Sequence, residues 1–140
     1  MSKPEDRGTS ATGERVHREY ILDVRVVECP TDEGPRYRFE APHHRGVTFE
    51  RAETAELYAD VYFDVNGFQE EGTGERGVPP EVIQAGRDTL AAYMLTQPFA
   101  DTNWVASFYG VKPERIDRYV SWVRERAEEV RTGATEMGME

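Results

Sequence analysis

Lysine is nearly missing from this chain: of its 17 basic residues only Lys3 and Lys112 are lysine, and the other 15 are arginine. Cysteine is scarcer still. Cys29 stands alone, which excludes an intramolecular disulfide and any thiolate metal cluster and agrees with a reducing compartment. No apolar run approaches the length of a membrane-spanning helix, and Met1 to Arg15 carries charges and glycines where an export signal needs an apolar stretch. The expectation is a cytoplasmic protein with no membrane partner. Leu, Ile, Val and Phe together number 27 of 140 residues, about 19%, so the hydrophobic core is small. At 16.0 kDa the length allows one domain and excludes a multidomain enzyme. An excess of carboxylates, 27 against 17 bases for a net charge of −10, excludes a general DNA-coating protein.

Fifteen aromatic residues offset the shortage of aliphatics, and they fall inside patterned segments, which predicts a folded body between polar ends. The acidic, lysine-poor surface, with a mean hydropathy of −0.72, resembles that of proteins from salt-loving archaea. In brine, carboxylate repulsion is screened over a few ångströms, so such an excess keeps a chain soluble without straining it.

Residues 1–15 lack periodicity and read as a disordered leader, and residues 132–140 as a disordered tail. The segment 16–131 reads as a single α+β domain. Its first part, residues 16–50, is a small antiparallel sheet: Tyr20, Leu22, Val24 and Val26 alternate with polar residues in a strand closing at Cys29. Residues 30–35 form a turn, and Tyr37, Phe39 and Ala41 alternate on the returning strand. Residues 42–46 break that strand, and Val47 to Glu50 offers a third extended piece. A helix over 51–66 follows from Ala55, Tyr58, Ala59 and Tyr62 at spacings of three and four, ended by Asn66-Gly67. Residues 67–79 read as a flexible, glycine-rich loop without the spacing or Lys-Ser/Thr ending of a phosphate-binding loop. The helical region 80–131 opens at Pro79-Pro80-Glu81 with a helix to about Leu95, in which Gly86 is a weak point or a close-packing site.

Residues 102–121 are the most informative. Ala106 is a small residue where two helices would touch, Gly110 can take positive φ at a bend, and Val111 and Ile116 are apolar locks. Asp101 or Thr102 can cap a first helix, and Pro113 suits the opening turn of a second. This stretch, with Gly-Val-Lys-Pro-Glu-Arg-Ile-Asp-Arg-Tyr-Val at its centre, resembles the turn and recognition helix of helix-turn-helix transcription regulators. Two features depart from the pattern, Tyr119 where a smaller aliphatic is usual and acids on the exposed face, and Trp104 also makes the first helix bulkier.

The resemblance implies sequence-specific binding of double-stranded DNA, with Ile116, Tyr119, Val120 and Val123 turned inward and Lys112, Glu114, Arg115, Asp117, Arg118 and Ser121 on the outer face. Arg115 and Arg118 would read guanines or anchor phosphates, Lys112 would contact phosphate, and Ser121 would make a weaker contact. Glu114 or Asp117 could accept from a cytosine amino group. One recognition helix covers few base pairs, so a homodimer is expected. An alternative is a module whose helices meet a partner protein, their outside solvated by pairs such as Arg124 with Glu128. Another is a small enzyme or ligand sensor on the sheet, which would need a pocket near Tyr37, His43 or His44. With His17 and Cys29 the only other good ligands, a metal site would need both adjacent loop residues His43 and His44, whose side chains diverge in an extended loop, so both read as surface residues. The residues therefore nominate no catalytic group, metal or cofactor, and the expectation is a binding protein rather than an enzyme.

Overall fold

The computed structural model describes residues 13–42, 44–68 and 78–138. Most of the expected leader, the body of the glycine-rich loop, His43 and the last two residues lie outside them. The class is α+β. Four strands, β1 (Arg15–Glu19), β2 (Arg25–Cys29), β3 (Arg36–Ala41) and β4 (His44–Phe49), form an antiparallel meander in the order β1-β2-β3-β4. Five helices follow: α1 (Ala52–Asp64), α2 (Pro80–Ala85), α3 (Arg87–Leu95), α4 (Thr102–Tyr109) and α5 (Pro113–Glu136).

The sheet holds one strand more than the alternation implies. The chain turns back at Leu22 and Asp23, both with positive φ (68° and 61°), and the Tyr20 amide donates to the Val24 carbonyl. Asp23 tolerates that conformation, but Leu22 does not, and a leucine there masks the turn. Packing of Leu22 against the core offsets the cost. Because Arg15 opens β1, the ordered body begins inside the expected leader. β1 is short, carries Arg15, His17, Arg18 and Glu19, and loses register with β2 between Val16 and Arg18. His17 reaches α1, with Nε2 2.8 Å from the Glu56 carboxylate.

One face of the sheet, with Val24, Val26, Phe39, Ala41 and Phe49, packs on Ala55, Tyr58, Ala59 and Phe63 of α1. The other is laced by charge: Arg25 donates to Glu40 at 2.9 Å, and Arg38 donates to Glu40 at 2.7 Å and to Glu14 at 2.9 Å. Burial would raise the Glu40 carboxyl, but its hydrogen bonds from Arg25 and Arg38 outweigh that and hold it below the ordinary carboxylate range. His44 is not a surface loop residue. It is buried in β4, where Nδ1 donates to the Phe68 carbonyl at 2.9 Å and Nε2 accepts from the Tyr58 hydroxyl at 2.7 Å. The break expected over 42–46 is thus a tight reversal, and β4 starts at His44.

The helix expected from Pro80 to Leu95 is two helices, parted at Gly86, whose φ of 128° and ψ of 174° no helix accommodates. Restarting there places Asp88 in the first turn of α3 and aims it at α5. At about 1.5 Å per residue, the 24 residues of α5 run about 36 Å. Its middle packs Val123 and Ala127 into the main core, and its first two turns pack Ile116 and Tyr119 into a smaller cluster with Ala91, Val105 and Ala106. The helix continues to Glu136, with Ala134 buried, through the stretch expected to be tail.

Arg126 fastens α5 to its neighbours. It donates to Asp64 of α1 at 2.8 and 3.0 Å, to Asp88 of α3 at 3.0 Å and to the Thr89 hydroxyl at 3.1 Å, while Thr89 donates to Asp64 at 2.7 Å. The Asp64 side chain is only 4% exposed. Arg126→Ala would strand that carboxylate, and about 2–3 kcal/mol of stability should be lost, below the range for fully buried pairs because the guanidinium is partly in water. Chemical denaturation checks this, and Asp64→Asn in the same background should recover part of the loss. For Glu40 the sign runs the usual way for a depressed acid: its contribution is full above the unfolded carboxyl's pKa and disappears as pH falls through the lower folded value. Glu40→Gln should therefore flatten the acid limb of a stability–pH curve.

Candidate nucleic-acid interface

The turn between α4 and α5 follows from three local requirements. The Asp101 carboxylate accepts from the Trp104 amide at 2.8 Å and caps α4. Gly110 takes φ 68°, ψ 35°, and the Val111 amide donates back to the Ala106 carbonyl at 2.9 Å, closing α4 in the manner of a Schellman turn. Pro113 then occupies the first turn of α5, where its missing amide proton costs nothing. Ala106 and Ile116 are buried against each other's cluster with Val105 and Tyr119, and Val111 is partly buried beside them.

Each residue expected inward is turned inward: Ile116, Tyr119 and Val123 are buried and Val120 is half-buried. Lys112, Glu114, Arg115, Asp117, Arg118 and Ser121 are all exposed. Among the described residues, none of the five charged members of that set enters an ion pair. Arg115 does have a neighbour. Desolvation raises the Tyr119 phenol, but the guanidinium groups of Arg115 and Arg87 beside it prevail and hold it below the ordinary tyrosine value. Arg87 also lies over the Tyr109 ring, 5.2 Å from its centroid.

The later arginines of α5 are placed differently. Arg124 and Arg131 reach Asp60 of α1 at 3.8 and 3.0 Å, and Arg126 holds Asp64 and Asp88. The i, i+4 partnership expected of Arg124 and Glu128 does not form, because Glu128 pairs with Arg131 at 3.0 Å. Asp60 is buried, and that burial raises its carboxyl above the usual aspartate value against the pull of Arg131.

Several surface residues carry no mark in the sequence pattern. Trp122 is exposed one turn beyond Arg118 and rests on Tyr119, with ring centroids 5.8 Å apart. Phe99, Trp104 and Phe108 form a second exposed group: Phe99 meets Trp104 edge-on at 5.1 Å, and Trp104 stacks on Phe108 at 5.6 Å with planes 9° apart. The i, i+4 spacing of Trp104 and Phe108, offset from the buried Val105 and Ala106, is the signal that locates this face. By contrast, the aromatic concentration of α1 and its exit is interior, with Tyr58, Phe63 and Phe68 buried and Tyr62 packed beside them. A groove of about 450 Å³ lies between β4, the start of α1 and the α3–α4 connection, but neither His44 nor Tyr37 lines it. No protein family, curated protein or solved structure matches the chain.

The turn itself is open to test. A Cβ at Gly110 meets no atom within 4 Å, so Gly110→Ala costs only the left-handed backbone, about 1–2 kcal/mol. Thermal unfolding should show this loss, with Gly110→Asn losing less because asparagine tolerates the conformation.

Proposed function

We infer that the protein binds double-stranded DNA in a sequence-dependent way through α4 and α5, used as a helix-turn-helix, and serves as a transcription regulator in a salt-rich cytoplasm. The observation that carries this reading is the division of labour among the cations of α5. Arg124, Arg126 and Arg131 are spent on carboxylates of α1 and α3, whereas Lys112, Arg115 and Arg118 stand exposed with no carboxylate partner among the described residues. In a chain of net charge −10, unpaired cations gathered on one helical turn and a half are the exception. Arg115 and Arg118 lie at i, i+3 and can reach guanine edges or phosphates together; Lys112, at the start of the helix, suits phosphate.

Glu114 and Asp117 flank these cations and repel phosphate, so they favour sequence-dependent contact over general adhesion. Concentrated salt acts in the same direction, since it removes much of the counterion-release term and leaves base contacts to supply the affinity. A single reading helix spans few base pairs, and the reading therefore includes two copies of the chain on a two-fold site. It assigns no catalytic step, metal or cofactor to the protein.

Fluorescence anisotropy against pooled genomic duplex fragments at several molar potassium chloride tests the reading. The native chain should retain a subset of fragments, and Arg115→Ala/Arg118→Ala should weaken their binding about ten- to a hundredfold, the range expected for loss of good base contacts. Equal retention by both proteins, or none by either, would overturn it.

A further inference from the structure

We propose that the aromatic ridge of Phe99, Trp104 and Phe108 is a self-association surface, on which a second copy of this chain packs α4 against α4 about a two-fold axis. The inference takes the two-copy arrangement from the reading above and locates its contact. Phe99 is 63%, Trp104 41% and Phe108 58% exposed, although the three rings already touch in sequence. Together they leave about 350 Å² of contiguous aromatic surface in water, given that such side chains present 150–250 Å² each. That falls within the range of the largest apolar patch on a soluble protein, which is often a functional one, and is roughly two-fifths of what one side of a standard interface buries.

Charge selects the occupant. Charged residues make up 31% of the chain, yet residues 98–111 contain one, Asp101, whose carboxylate is engaged by the Trp104 amide. Two copies that each carry −10 repel wherever their carboxylate surfaces meet, and this sparsely charged stretch is where they can approach. The absence of cations from the same stretch disfavours a phosphate backbone there, which needs them. The i, i+4 placement of Trp104 and Phe108 on one helix face is self-complementary: with two α4 helices antiparallel, each Trp104 faces the other copy's Phe108. Brine screens the surrounding carboxylates and strengthens apolar burial, so the contact is suited to the conditions this surface charge implies.

Sedimentation equilibrium of the full chain at several molar potassium chloride should give twice the 16.0 kDa chain mass. Trp104→Ser/Phe108→Ser should return it to the single-chain mass with an unchanged circular dichroism spectrum. A native chain that sediments singly, or a folded double variant that keeps the doubled mass, overturns the proposal. If the double variant does not fold, Trp122→Phe leaves Trp104 as the only tryptophan: its emission should move to the red on dilution through the dissociation range, and emission independent of concentration overturns the proposal equally. Arg115→Ala/Arg118→Ala separates this surface from the duplex reading. That variant should lose duplex binding while keeping the doubled mass; a native chain that keeps the doubled mass but binds no duplex removes only the reading, whereas a native chain of single-chain mass that still binds duplex removes only the surface.

Discussion

A carboxylate buried at the end of α1 is costly to leave without a partner, and the molecule is arranged around supplying one to Asp64. Arg126 comes from α5, Thr89 from α3, and Asp88 balances the guanidinium from the other side. In a core with so few leucines and isoleucines, this polar junction does work that a larger apolar interface would do elsewhere: its bonds are directional, so it sets where three helices sit as well as holding them together. The break at Gly86 belongs to the same arrangement, because it lets α3 begin where Asp88 and Thr89 face α5.

From that junction α5 runs toward α4 and fills the second, smaller cluster through Ile116 and Tyr119. The candidate surface thus occupies the end of a long helix whose other end is anchored in the main core. The arginine content of α5 is divided accordingly, with anchoring residues toward the C-terminus and exposed ones toward the N-terminus. Arginine suits both tasks, since its planar fork pairs with a carboxylate as well as with a guanine edge or a phosphate. An arginine-rich, lysine-poor chain can therefore serve packing and recognition with one residue type.

Much of the fold was legible because its signals are local. The hairpin around residues 30–35, the helix ended by Asn66-Gly67, the cap at Asp101 and the bend at Gly110 each rest on side chains whose conformational preferences act within a few residues. What stayed hidden depends on distant partners. The turn at Leu22-Asp23 puts a leucine at positive φ, which only its packing against the core offsets. His44 looks like a loop residue until Tyr58 and the Phe68 carbonyl, 14 and 24 residues away, satisfy both ring nitrogens. The last turns of α5 lack an apolar pattern yet stay helical, with Arg131 drawn to Asp60 and Ala134 buried. At the candidate site the inward and outward faces followed from helical spacing, whereas the exposure of Phe99, Trp104 and Phe108 did not, because aromatic residues ordinarily signal interior.

The bulged first strand bears on a different hazard. An antiparallel meander that does not close leaves a row of unpaired amides and carbonyls along its outer margin, a template on which further chains could add indefinitely. Here that margin is only five residues long, interrupted in register and studded with Arg15, His17, Arg18 and Glu19, two of which lean toward Glu56 on the neighbouring helix. An incoming strand would have to strip water from those groups for a few poorly aligned hydrogen bonds. Strand addition at this margin is thereby disfavoured from its first step.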